Sequence, residues 1–209
     1  MKPIALFKNF IQSNRILWQD PVGKLSLAVT TLFWGIGAVV QFAVLLWAKE
    51  ALNMPLEQAS LLQAVVAFGV IFGAGMAGHY VALQNAYKVL PLGLWLGLSL
   101  PALAFSTSLW MAIPLMLITG FAGGMLMVPM NAVLQNRGYT LLTAGRSIAV
   151  QGFNENASVM VMLGVYSGLL ALELPLQWVM VIMGSVMTLG MVYLMRMASQ
   201  KTDSTCSAI

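Results

Sequence analysis

Glu155 is the residue of this chain best placed to do chemistry. Of six carboxylates, Asp20, Glu50, Glu57, Glu173 and Asp203 fall between or beyond the long apolar runs, and Glu155 alone falls inside one. The stretch SIAVQGFNENASVMVMLG, Ser147–Gly164, surrounds it with Gln151, Asn154 and Asn156. At about 100° per helical residue, Ser147, Gln151, Asn154, Glu155, Ser158 and Tyr166 fall within an arc of about 120°, and Asn156 lies outside it. A carboxylate among amides on an apolar helix can hold an ammonium group or line a path for an ion. Facing lipid near mid-membrane it would cost roughly 2.5–3.5 kcal/mol, so the stripe belongs against protein or a water-filled cavity. The competing reading is a protonated or amide-bonded glutamate that fixes helix packing. Arg146 stands nine residues earlier, about 13 Å along a helix. It points the opposite way and is a poor partner for Glu155.

Other polar residues join this candidate cavity with a weaker signal. Gln41 follows Thr30 and Thr31 deep in an apolar run, and Gln63 lies early in the next. Asn131 and Gln135 stand four apart, on one helix face. Each of these can equally be glue between helices. Catalytic chemistry has little to work with. There is one cysteine, Cys206, and one histidine, His79. A disulfide within the chain and a histidine-rich metal centre are both excluded, and a serine–histidine pair would have to use His79. No GxSxG-type site appears. The aspartates, Asp20 and Asp203, lie outside the apolar runs, so the aspartate-rich metal site of a lipid synthase is missing. The chain therefore reads as a non-enzyme that needs no cofactor. The terminal CSAI outlines a prenylation box, but a protein held by several spans needs no lipid anchor.

The elements that would position these residues are membrane helices. The chain has 209 residues, of which 60% are hydrophobic and 8% charged. A soluble domain would be about 25% charged. Six apolar segments are long enough to cross a bilayer: Leu25–Ala48, Gln58–Val81, Val89–Thr107, Leu109–Leu134, Ser147–Leu170 and Leu174–Met195. The expected fold class is thus an all-α integral membrane protein of six transmembrane helices. Its parts are a linker or interfacial segment at 1–24, a helical bundle at 25–196 and a polar tail at 197–209. With the N-terminus inside, nine of ten basic residues fall inside and only Lys49 falls outside, so both termini are expected to be cytoplasmic. The net charge of +4 then reflects topology rather than nucleic-acid binding.

Glycines four apart, Gly69 and Gly73 (with Ala77) and Gly120 and Gly124, make grooves where another helix can approach. Pro91, Pro101, Pro114 and Pro129 lie within or near the third and fourth spans, where an interior proline can kink a helix. Trp47, Trp110 and Trp178 lie near the outer boundary, where aromatic belts form. The sixteen methionines read as packing. Ahead of the spans, Phe7, Phe10, Ile11, Leu17 and Trp18 recur at helical spacing between basic residues. That segment is either a helix on an anionic cytoplasmic surface or a plain linker.

Two stretches carry a family resemblance: FWGIGAVVQFAVLLWA, Phe33–Ala48, and VPMNAVLQNRGYTLLTAGRSIAVQGFNEN, Val128–Asn156, continued by MLGVYSG, Met162–Gly168. From about Trp18 to Tyr193 the chain resembles the bacterial lysophospholipid transporters of the major facilitator superfamily. The resemblance implies a carrier in the bacterial cytoplasmic (inner) membrane that moves lysophospholipids, chiefly lysophosphatidylethanolamine, to the inner leaflet for reacylation. Pro129, Asn131, Gln135, Arg137, Gln151, Glu155 and Asn156 match the family pattern. Gly152, Asn154 and Gln41 depart from it, and Gln41 takes a position that can be basic. The candidate substrate-binding residues are therefore Glu155, Gln151, Asn154, Asn156, Asn131, Gln135 and Gln41. The family fold implied has twelve helices in two halves, and this chain looks like the C-terminal half, beginning in the central linker. The expected partners are lysophospholipid, membrane lipids, and an N-terminal six-helix half or a second copy. An inactive or assembly-dependent half, or a carrier of another amphiphile, is the alternative.

Overall fold

The computed structural model describes the backbone of residues 3–206 and the side chains of 6–199. The prenylation-box outline ends beyond those residues. Every regular element among them is helical. A short helix, α1 (Pro3–Gln19), turns sharply into the long α2 (Pro21–Leu52), followed by α3 (Leu56–Tyr80). A 3₁₀ segment, Leu83–Val89, leads into α4 (Leu92–Ala104). Then come α5 (Leu109–Leu141), α6 (Ala144–Ala171) and α7 (Leu176–Cys206). Five segments are long and apolar enough to cross a membrane: α2, α3, the 3₁₀–α4 unit over Leu83–Ala104, α5, and Leu176–Ser199 of α7. With 28 residues α6 matches them in length, but its polar middle keeps it out of that set.

Local chemistry explains the boundaries. Asp20 caps α2, its side chain accepting from the backbone N–H groups of Val22 and Gly23, with Pro21 ready-made for the first helical position. Asn53 adopts a left-handed conformation and ends α2. The third segment differs from the expected Val89–Thr107. Pro91 stands before its α-helix, which is only 13 residues long and stops at Ala104, so the preceding 3₁₀ turns supply the rest of its length. The fourth runs on past Leu134 to Leu141, because nothing between them breaks a helix.

Two glycine seams hold the bundle. A Cβ on Gly69 or Gly73 of α3 would strike the carbonyl oxygens of Leu117 and Phe121, and one on Gly120 or Gly124 of α5 would strike those of Val66 and Val70. The glycine pairs expected to form grooves thus face each other, backbone against backbone. Gly97 of α4 and Gly184 of α7 form a second such seam. Between the seams, Met180, Met183, Met187 and Met191 of α7 are almost fully buried, one per turn. Trp110 and Trp178 are exposed at 89% and 57%, as an aromatic belt requires, but Trp47 is 1% exposed. Its position near a helix end was legible and its rotation was not, because α2 is apolar on nearly every face.

Candidate functional site

The polar stripe of α6 splits between two neighbours. On one side Gln151 bridges to α5: its amide nitrogen donates to Asn131 Oδ1 at 2.9 Å and to Glu155 Oε1 at 2.8 Å. All three side chains are half-buried or lie at the edge of burial. Two hydrogens leave one amide nitrogen, so Gln151 has spent its donors. Glu155 keeps acceptor lone pairs beyond the one Gln151 uses on Oε1. Thr30 of α2 stands beside this carboxylate, and its hydroxyl donates to the Leu27 carbonyl. Small residues make room for the approach: a Cβ on Gly35 of α2 would strike Ser158 of α6.

On the other side Asn154 turns to α1. Its Oδ1 accepts from the Trp18 indole N–H at 3.1 Å, and its amide nitrogen donates to Asn14 Oδ1 at 2.9 Å and to the Val150 carbonyl at 2.8 Å. Phe10 packs edge-on against Phe153, ring centres 5.1 Å apart. The remaining candidates stand apart. Asn156 is exposed and donates to Gly152 of its own helix. Gln135 and Gln41 are exposed as well, and Gln63 donates to the Gln41 backbone carbonyl. The site brought together is therefore Asn131, Gln151 and Glu155, with Thr30 beside it.

Sequence reasoning missed one strong interaction at this end of the bundle. The Arg137 guanidinium grips Asp20 with both arms, Nε to Oδ1 at 2.9 Å and Nη2 to Oδ2 at 2.6 Å. These hydrogen bonds hold the Asp20 carboxyl below its ordinary range, against the opposing effect of burial. The same carboxylate thus caps α2 and ties it to α5. Asp-Pro-x-Gly is a readable helix start, but a partner 117 residues away is not readable from spacing.

No protein-family model matches the chain. Lysophospholipid transporter LplT of Yersinia pestis (strain Pestoides F) is 39% identical to it over 175 residues, which is 83% of this chain and 43% of that protein. Lysophospholipid transporter LplT of Yersinia pseudotuberculosis serotype I (strain IP32953) matches to the same extent. The chain thus spans less than half the length of these curated relatives.

Proposed function

We infer, from the membership of this chain in the lysophospholipid transporter family, that its bundle carries lysophospholipids across a bacterial inner membrane as one part of a larger carrier. The observation that carries the reading is 39% identity sustained over 175 residues. In this proposal α6 is a sixth span, since its 28 residues reach about 42 Å against a hydrocarbon core of about 30 Å. The basic residues put both termini in the cytoplasm. The six spans form one half of a major facilitator fold, with no catalytic step and no cofactor.

Glu155 receives the cationic part of the head group. Its remaining lone pairs can accept from an ethanolamine ammonium while Gln151 holds one oxygen in place. Asn131 sets the position of Gln151. Gln135, Gln41 and Asn156, exposed on the bundle surface, face the cavity only once a partner covers them. That partner is an N-terminal six-helix half or a second copy.

The test is uptake of labelled lysophosphatidylethanolamine by cells lacking their own transporter, at matched surface expression. The chain is supplied with and without a six-helix N-terminal partner. Uptake is expected only with the partner. Glu155→Gln should lower it roughly 10- to 100-fold, the value of a charge-assisted hydrogen bond of about 1.5–3 kcal/mol. Unchanged uptake in that variant refutes the head-group role, and no uptake in either arm refutes the substrate.

A further inference from the structure

We propose that α1 is a membrane-surface anchor: it lies along the basic end of the bundle and binds a bilayer surface carrying anionic head groups. This does not depend on what the chain transports. Two sides of the helix have different surroundings, and the docked side is left uncovered toward its N-terminal end, at Phe7 and Ile11. Phe10, Asn14, Leu17 and Trp18 dock on the bundle, with Leu17 fully buried and Trp18 and Asn14 bonded to Asn154. Asn9, Gln12, Ser13 and Ile16 line a cavity of about 270 Å³ against Leu141, Leu142 and Arg146. Phe7 and Ile11 stay exposed at 67% and 51%, about half a turn around the helix from that polar side.

The partner's chemistry follows from charge and placement. No acidic residue occurs anywhere in α1, whereas Lys8 and Arg15 project together on its free side. The one ion pair among the described residues is Arg137–Asp20, so neither cation is paired among them. An exposed apolar edge with two cations beside it and a polar face opposite is the pattern that seats a helix at an anionic lipid interface. A flexible linker could carry the same residues without presenting them, but α1 is not free to swing. Asp20 fixes its junction with α2 through two cap bonds and the Arg137 fork. A Cβ on Gly23 would strike the Leu17 carbonyl, so the elbow closes too tightly for any other residue. The elbow therefore sets the angle at which Phe7 and Ile11 meet the lipid.

Nitroxide labels test this on the full chain. Cys206→Ser removes the only native thiol, and Ile11→Cys or Gln12→Cys supplies a new one. The protein is reconstituted into bilayers of phosphatidylethanolamine with phosphatidylglycerol, or of phosphatidylcholine alone. Collision with oxygen reports lipid, and collision with a water-soluble nickel chelate reports water. In the anionic bilayer position 11 should favour oxygen and position 12 nickel. The oxygen-to-nickel ratio at position 11 should fall at least about threefold in phosphatidylcholine, or with Lys8→Gln and Arg15→Gln together. Equal nickel access at both positions overturns the proposal. So does a ratio at position 11 that ignores lipid charge and both cations. Shielding of position 11 from both reagents would mean a protein partner, and would overturn it too.

Discussion

Asp20 performs two jobs that substitution can separate. As a cap it accepts from Val22 N–H at 3.1 Å and Gly23 N–H at 2.8 Å. As an ion-pair partner it holds Arg137 by two further bonds. Replacing a capping aspartate by alanine costs about 1 kcal/mol, whereas asparagine caps about as well. The pair is worth about 1 kcal/mol at most, because the Arg137 side chain is 42% exposed and solvent screens it. Asp20→Ala should therefore cost about 2 kcal/mol and Asp20→Asn about 1 kcal/mol. Arg137→Gln should cost about 1 kcal/mol in the wild type and little in the Asp20→Asn background. The assay is reversible unfolding by dodecyl sulfate in mixed micelles, followed by far-ultraviolet circular dichroism. Equal losses for Asp20→Ala and Asp20→Asn would refute the cap. An undiminished loss for Arg137→Gln in the Asp20→Asn background would refute the pair. The pH dependence has a fixed sign. A carboxyl held below its unfolded value of 3.8 contributes stability that is complete above that pH. That contribution is lost as pH falls through the lower folded value. The gap between wild type and Asp20→Asn should stay constant from about pH 5 to about pH 8 and close in stronger acid.

The glycine seams and the orphaned serine give shorter tests by the same unfolding assay. Gly73→Ala places a methyl against the Phe121 carbonyl and should cost about 1–3 kcal/mol. Gly75→Ala, two residues along the same helix, meets only open space and should be neutral or stabilising by up to about 1 kcal/mol. Equal effects at the two positions would mean that the α3–α5 seam is not backbone against backbone. Ser147 is buried and its hydroxyl finds no partner. Ser147→Ala should leave stability unchanged or raise it by about 1 kcal/mol, and a clear loss would mean that the hydroxyl is bonded. Gln151→Leu removes the bridge between Asn131 and Glu155. It should depress lysophosphatidylethanolamine uptake in the assembled carrier more than Gln135→Leu, measured in the same cells.

How far the sequence could be read depended on whether a feature was local. Glycine spacing marked both halves of the α3–α5 seam because a groove is a property of one helix, yet it could not say that the two grooves met each other. Pro91 shortened the third segment by a rule that a hydropathy count does not contain. Trp47 was misplaced because its depth along α2 follows from residue number, whereas its rotation follows from which neighbours fill the other faces. Asp20 advertised its cap locally and concealed its ion pair, which exists only once α2 and α5 lie side by side.

The polar stripe of α6 shows the same division at the candidate site itself. Helical geometry placed Asn154 and Glu155 on one arc about 100° apart. That angle is wide enough for the two residues to face different neighbours. Asn154 uses both amide hydrogens and accepts from Trp18, which leaves it one acceptor lone pair. A ligand could accept from the Asn154 amide only by breaking its bond to Asn14 of α1 or to the Val150 carbonyl. Glu155 keeps acceptor lone pairs free while Gln151 fixes one of its oxygens. Adjacent in sequence and both polar in an apolar helix, one residue is committed to holding the fold and the other keeps acceptor capacity in reserve. The stretch Ser147–Gly164 is thus a joint between the docked helix α1 and the amide–carboxylate pair that α6 shares with α5. A change in the seat of α1 would reach Glu155 through one residue of α6.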